Sequence, residues 1–437
     1  MNRSVLALFA LVSLLPLAAA CGDDDEPVAT TPRAGGGAGT GGSGAGTGGS
    51  SAGTGGAAAG KGGASAGTGG GSGATAGGAA GSGAAGTSGC LIDPPAAYDG
   101  TAFATNAAIE LALKAQLKAL NAPMRDAEID ETKKPSAESL LGLFQAGTPS
   151  LEGAAAPGYA ARMKLLFPVF ASATGNTWDP ATAPAGVGGI YGDKTSASVW
   201  IFDAKGVDLR QSLDKGSFGG VFYFHAKGLA KGVVTKTTID SFLAAWGGSP
   251  NFPGNVTDPA PAVPDELSAV YSKRRDTFAT NNPGAYTKIR VALTAAQAKV
   301  GSAACQVEVN EHLATFFQQW ERSLAATTYF YFNDASKKLL KDGASTADLA
   351  SGLHGYTEGI SFLRGLREVP ADARTGTDAG IDEILTLVGA PVSGDATAYK
   401  LVTEGAPEVA KLGQAMTKIA ALYGFTVEER ESFKTNF

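Results

Sequence analysis

The chain has 437 residues, and 61 of them are glycines concentrated between about Arg33 and Cys90. That concentration excludes one globular domain over the whole length, while the remaining residues suffice for one large domain or two small ones. A net charge of −6 argues against a nucleic-acid partner, and three histidines with three cysteines leave few candidates for a catalytic or metal site.

Residues 1–20 have the features of a lipoprotein signal peptide. Arg3 supplies a positive charge, and residues 5–17 form an apolar run too short to span a bilayer stably. Residues 18–21, Ala-Ala-Ala-Cys, resemble a lipobox, in which Cys21 is lipidated and anchors the protein to a membrane. The alternative is an ordinary cleaved signal with an accidental cysteine. Gly22 follows the cysteine, which by resemblance to lipoprotein sorting rules predicts the outer membrane, with the domain facing the periplasm or the cell surface.

Residues 21–89 are predicted to be a disordered tether. From residue 34 onward this segment is Gly, Ala, Ser and Thr, with Lys61 as its only charge. Such a chain has no apolar surface to bury and cannot compensate its ordering entropy. Flexible-chain scaling gives an r.m.s. span of roughly 40–45 Å. The tether would hold a domain off the membrane without fixing its orientation.

Residues 90–437 are predicted to form an all-α domain. Ile109, Leu113, Leu117 and Leu120 make one apolar stripe at helical spacing. Residues 197–202 are a candidate short strand, but the absence of sustained β-α-β alternation excludes a doubly wound sheet. Further helices are predicted around residues 140–143, 210–227 and 285–340, from Pro264 onward, and at 346–366, 378–389, 406–422 and 426–434.

Two histidine–glutamate pairs are the candidate metal ligands. His354 and Glu358 lie one helical turn apart, as do Glu308 and His312. Imidazole and carboxylate at this spacing can bind iron or another divalent metal, provided that the two pairs face each other across a bundle. For His354 and Glu358, the alternative is a buried pair that holds two helices together. For Glu308 and His312, the alternative is a solvated helix face.

The third histidine, the aromatic runs and the two remaining cysteines are predicted to have structural roles, each with an alternative. His225 follows an apolar run and is predicted to be a satisfied core histidine. Aromatic runs at residues 218–224 and 329–332 are predicted to be core, with a haem or ligand pocket as the alternative. Export would allow Cys90 and Cys305 to form a disulfide that pins the start of the domain to its body, and two unpaired thiols are the alternative.

Three segments carry a family resemblance. Residues 205–216, the run from Trp320 to Asn333, and residues 354–367 resemble motifs of bacterial lipoproteins in the domain-of-unknown-function family 4856. Pro94 to Asp99 is also similar. The matches are spread over about residues 94–425 and therefore cover the whole predicted domain.

That family is similar to the imelysin-like proteins, which are exported helical bundles with a Gly-x-His-x-x-Glu signature. The resemblance implies an imelysin-like bundle, which can be built from two pseudo-repeated halves, and an association with iron or haem uptake. Two departures are visible. The spacing from His354 to Glu358 is one residue longer than in imelysins, and residues 238–246 lack the histidines expected in the middle of related sequences.

Three functions are compatible with these observations. The first is a non-enzymatic binding module for iron, haem or another metal-linked ligand, displayed on a membrane through Cys21. The second is a metal-dependent hydrolase at the same residues, which needs a third ligand and an open coordination position. The third is a structural or adhesive surface protein without a site. Convergence of His354 and His312 at a cavity favours the first two, and their separation favours the third.

Overall fold

The structure is a computed structural model, and it describes residues 89–252, 264–277 and 279–435. Residues 87–437 form one unit by their internal contacts. The predicted signal peptide, Cys21 and the tether up to residue 88 lie outside the described residues. The predicted all-α class is confirmed, because most described residues are helical and a two-stranded hairpin is the only sheet among them.

The first half of the domain combines helices with this hairpin. Strands β1 and β2 are antiparallel, with Gly189 opposite Phe202 and Asp193 opposite Ser198. The elements are α1 (Phe103–Asn106), α2 (Ala108–Ile129), α3 (Ala137–Gln145), α4 (Leu151–Ala154), α5 (Pro157–Ala173), β1 (Gly189–Asp193), β2 (Ser198–Phe202), α6 (Leu209–Ser217), a π-helical stretch (Phe218–Tyr223), α7 (Phe224–Leu229) and α8 (Lys236–Trp246).

The second half is built from helices alone. None of the helices in the described part of the chain has the length and apolar character to cross a membrane. The elements are α9 (Leu267–Arg274), α10 (Ala285–Lys299), α11 (Gln306–Leu339), α12 (Thr346–Arg367), α13 (Asp378–Leu387), α14 (Lys400–Thr403), α15 (Ala406–Tyr423) and α16 (Val427–Ser432).

Helices α11 and α12 form the centre of the domain and run antiparallel. Thr328 Oγ1 donates to the carbonyl of Gly359 at 3.2 Å, and Gly352 lies against Leu339 near the other end of the contact. α10, α15 and α9 pack on α11, while α6 and the hairpin pack on α12. Any side chain on the inner face of α12 is therefore surrounded by α6, α11 and the hairpin.

Two helix boundaries differ from the predictions. The run predicted over residues 285–340 is broken, because Gly301 adopts a positive φ of 91° between α10 and α11. Pro264 was expected to stand in the first turn of a helix, but α9 begins at Leu267. The Asp265 carboxylate instead accepts hydrogen bonds from the Ser249 amide and the Tyr286 hydroxyl, at 2.8 Å each, and so joins three segments.

The α6 helix continues through the π-helical stretch into α7, and glycines allow this stretch to lie against α12. Gly216 and Gly219 contact Gly365 backbone to backbone. A Cβ added at Gly365 would collide with the carbonyl oxygen of Gly216, which is backbone and has little freedom to move. π-Helical turns are rare and frequently accompany functional sites.

Gly365→Ala is expected to destabilise the domain by about 1–3 kcal/mol, because the added methyl group would push α6 away from α12. Urea unfolding followed by circular dichroism measures the effect. The matched control is Gly413→Ala in α15, where an added Cβ meets nothing within 4 Å. That control should be neutral or stabilising by up to about 1 kcal/mol. Equal behaviour of the two variants would contradict the close approach of the helices.

Candidate functional site

The most distinctive polar feature of the domain is a buried cluster centred on His354. His354 Nδ1 lies 2.8 Å from Asp208 Oδ2, and its Nε2 lies 3.8 Å from Glu358 Oε2. The carboxylate accepts, so Nδ1 carries the proton in the shorter contact. The indole of Trp200 stacks on the imidazole, with ring centroids 4.3 Å apart. Only 8% of His354 is exposed, and its ring is held by the Trp200 stack and by the Nδ1 hydrogen bond to Asp208.

Local capping explains the position of Asp208. Its side chain accepts from the Gln211 amide at 3.1 Å and caps the N-terminus of α6, where a negative charge is favourable. Its own backbone amide donates to Thr357 Oγ1 on α12, at 3.1 Å. Asp208 therefore caps α6 and also bonds to α12 through His354 and Thr357.

The second part of the cluster surrounds Lys215 on α6. Its Nζ lies 2.7 Å from Asp214 Oδ2 and 3.6 Å from Glu358 Oε1. The other oxygen of Asp214 accepts from Asn121 on α2 at 2.7 Å. The ammonium lies 5.3 Å from the ring centre of Tyr271, which places it above an aromatic face. Helices α2, α6, α9 and α12 are thus joined through one buried cation.

Burial and neighbouring charges set the ionisation of these groups. Burial raises the pKa of Glu358, and the favourable charges of His354 and Lys215 reverse only part of that rise. Burial alone would lower the pKa of Lys215, but the charges of Asp214 and Glu358 raise it well above its usual value. Burial likewise opposes ionisation of Asp214, yet Lys215 holds the pKa of that carboxyl below its usual value. Lys215 and Asp214 therefore form a charged pair, while Glu358 retains its proton to higher pH.

A second set of charged groups adjoins the cluster. Arg210 Nε donates to Glu128 at 2.9 Å, and Arg125 lies 3.1 Å from the same carboxylate. Buried charges are costly unless they are paired, and these contacts pair them. The members of both sets are Asn121, Arg125, Glu128, Asp208, Arg210, Asp214, Lys215, His354 and Glu358.

Helix packing explains two of the glycines near His354, namely Gly352 and Gly359. A Cβ at Gly352 would meet Leu339 at 2.6 Å, and one at Gly359 would meet Phe332 at 2.6 Å. Their cost in a helix is therefore compensated by the close approach of α11. The Ser345–Asp348 capping box begins α12 and fixes which residues face inward.

The structure does not bring the second predicted pair to this cluster. Thr328 lies at the level of Gly359, and His312 precedes Thr328 by 16 positions, which is roughly 24 Å along a helix. Glu308 forms an ion pair with Lys299 instead. Burial, together with the Lys299 charge, lowers the pKa of His312. The expected convergence of Glu308 and His312 with His354 and Glu358 is thus not observed.

The His354 cluster does not fit a resident iron or other divalent metal ion. Within the ranges that the structure describes, no group of three or more His, Cys, Asp or Glu side chains is placed to hold one. The Lys215 ammonium already provides the positive charge beside Glu358. His354 Nδ1 is held by Asp208, so the imidazole offers a single nitrogen to a metal.

The contacts of His225 and of the two aromatic runs agree with structural roles for these residues. His225 Nε2 lies 2.9 Å from Glu110 Oε1, so this histidine is satisfied by a buried carboxylate. The two aromatic runs meet through Phe362, whose ring centre lies 5.4 Å from Phe218 and 6.2 Å from Tyr331. These rings pack against each other as core rather than around a haem-sized space.

Cys90 and Cys305 form a disulfide, the bridge considered in the sequence analysis. Cys305 is 1% exposed and stands at the N-cap position of α11. The bond joins residues 215 positions apart and fixes the segment that follows the tether to the longest helix.

The sequence did not single out the partners of His354 as site residues. Trp200 and Asn121 come from other elements, and no local pattern marks them. The family resemblance was the one sequence signal for this cluster. Its first segment contains Asp208 and Lys215, its second contains Tyr331, and its third contains His354 and Glu358. Tyr331 is near enough to Glu358 to lower the pKa of that carboxyl, against the rise caused by burial. Segments that are distant along the chain thus meet at one buried place.

Comparison with known proteins adds no further assignment. The chain matches no protein-family model, no curated protein and no solved structure. The resemblance to family 4856, the imelysin-like bundle and its two pseudo-repeated halves therefore stay predictions from the sequence, while the all-α fold is a property of the structure.

Proposed function

We propose that this protein is an exported lipoprotein that displays a helical binding module on a long tether, and that this module is not an enzyme. Cys21 carries the lipid and anchors the chain, with the outer membrane as the expected location. The iron, haem or divalent-metal ligand predicted from the sequence is not part of this proposal, because Lys215 already balances Glu358 and His312 lies far from His354.

The observation that carries the proposal is the disulfide at the mouth of the tether. Disulfides form and persist in oxidising compartments, which supports export. Cys90 directly follows the glycine-rich segment, and its partner Cys305 stands at the start of α11. A pull on the tether would therefore be transmitted into the central helix rather than into a fraying terminus.

Two further contacts secure the same end of the domain. The Asp99 amide donates to Gln297 Oε1 at 2.9 Å, and Gln297 Nε2 donates back to the Asp99 carbonyl at 2.9 Å. The Tyr98 hydroxyl donates to Asp240 at 2.5 Å. Such a reinforced entry point suits a domain displayed at the end of a flexible chain.

The His354 cluster acts as a structural clamp in this proposal. Asp208, Lys215, His354 and Glu358 link α6 to α12 through buried, mutually compensating groups. Both imidazole nitrogens face carboxylates and Trp200 covers the ring, so the histidine is engaged by the protein itself. Hydrolysis with a metal would require a third ligand and an open position at these residues.

Labelling with an alkyne analogue of palmitate in cells that produce the protein tests the anchor. The wild-type chain should incorporate the label and partition with membranes, whereas Cys21→Ala should do neither. The matched control is a Cys90→Ala, Cys305→Ala double variant, which loses two cysteines outside the lipobox and should keep the label. An unlabelled wild-type chain, or a labelled Cys21→Ala variant, would contradict the proposal.

A further inference from the structure

A cleft outside the His354 cluster has a polar wall. It lies between the end of α9, the start of α10, the middle of α11 and the α15–α16 segment. The residues that carry the argument are Arg275, Lys288, Gln319, Arg322, Phe425 and Phe433.

Gln319 is the polar group that points to a ligand. It lines the cleft, it is 9% exposed, and its amide makes no hydrogen bond to the described residues. An amide without a protein partner at the wall of a cleft can donate to and accept from a bound molecule. Its neighbours on the same face of α11 are engaged: Ser323 donates to the Trp320 carbonyl at 2.7 Å, and Arg322 bonds Glu429 at 2.8 Å.

The wall carries an excess of positive charge. Arg275, Lys288 and Arg322 line the cleft, and Glu429 is the one carboxylate among its lining residues in the described chain. Arg322 is paired with that carboxylate, and Arg275 donates to the carbonyls of Phe433 and Thr435. Lys288 is half-buried and forms no ion pair with the described residues. The ammonium of Lys288 and the amide of Gln319 thus remain for a bound group.

The N-terminus of α10 is already satisfied and is not counted as part of the site. The Asp276 carboxylate accepts from the Gly284 amide at 3.1 Å and from the Thr287 amide at 2.6 Å. The lining also has an apolar part, because Phe425 and Phe433 pack edge to face with centroids 5.0 Å apart, and the Arg322 guanidinium lies 4.7 Å from the ring centre of Phe425. Cationic and aromatic side chains therefore line the same cleft.

We propose that this cleft binds a small organic anion. Its carboxylate would pair with Lys288 and accept from the Gln319 amide, and its apolar body would lie against Phe425 and Phe433. The inference rests on the proposed function, since it names the ligand class of the displayed binding module. A hydrated inorganic anion would satisfy the cations but leave the aromatic wall unused.

Titration calorimetry on the full-length protein in non-ionic detergent tests the proposal, with benzoate as the probe and acetate and inorganic phosphate for comparison. Benzoate should bind saturably in the millimolar range or tighter, and more tightly than either comparison anion. Lys288→Gln should weaken benzoate binding by about tenfold, because a charge-assisted contact is lost. Gln319→Leu keeps the side-chain size and should weaken it by several-fold.

Lys337→Gln is the matched control, because this exposed lysine lies on α11 outside the cleft and its replacement makes the same change in charge. It should leave benzoate binding unchanged. Absence of saturable benzoate binding, tighter binding of phosphate, or equal loss in Lys288→Gln and Lys337→Gln would each overturn the assignment. Failure here is distinguishable from failure of the anchor, because palmitate labelling at Cys21 does not depend on the cleft.

Discussion

Lys215→Met is expected to destabilise the folded domain by about 3–5 kcal/mol, the loss typical of breaking a buried ion pair from one side. The methionine fills a similar volume but leaves Asp214 and Glu358 without the ammonium that lies 2.7 and 3.6 Å from them. Urea unfolding of the full-length protein, followed by tryptophan fluorescence, measures the change.

Two further variants identify the cause of that loss. Lys337→Met makes the same substitution at an exposed position and should change stability little. Adding Glu358→Gln to Lys215→Met should restore part of the lost stability, because one uncompensated carboxylate is removed; residues in contact typically show such coupling. A Lys215→Met effect no larger than that of Lys337→Met would show that the cluster is not a clamp.

Loss of the Cys90–Cys305 disulfide is expected to lower the free energy of unfolding by about 2–5 kcal/mol. The bond closes a loop between residues 215 positions apart, so it removes much entropy from the unfolded chain. The measurement compares the urea midpoint of the oxidised protein with that of a Cys90→Ser, Cys305→Ser variant.

Reduction of the wild-type protein provides the control for that comparison. Reduced wild type and the double serine variant should unfold at the same urea concentration, because both lack the same cross-link. Reduction should leave the double variant unchanged. A wild-type midpoint that is insensitive to reduction would contradict a stabilising role for the bond and would weaken the proposal of a reinforced tether attachment.

Helix positions were largely predictable because their signals are local. The apolar stripe of α2, and the periodic pattern that marks α12 and α15, lie within single segments. The errors arose where long-range contacts override local signals. A helix was predicted from Pro264 onward, but Asp265 bonds Ser249 and Tyr286, and α9 begins at Leu267. The sequence predicted a helix across Gly301, although this residue adopts a positive φ between α10 and α11.

The candidate sites were predictable only in part. The two histidine–glutamate pairs have the same helical spacing, so the sequence does not distinguish them. His354 and Glu358 are buried beside Lys215. In the other pair, Glu308 forms an ion pair with Lys299 and His312 is half-exposed. Spacing defines which side chains share a helix face, whereas the elements packed on that face decide their chemistry. The cleft at Gln319 left no signal in the sequence, because its walls come from four separate segments.

The sequence by itself determined the predicted anchor at Cys21, the tether and the all-α class, since each depends on composition, periodicity or a short contiguous motif. The tertiary structure alone decided that Asp208 faces His354 across 146 positions, that Cys90 reaches Cys305, and that Gln319 opens into a cationic cleft. These contacts depend on how helices pack, and packing is a property of many distant residues at once.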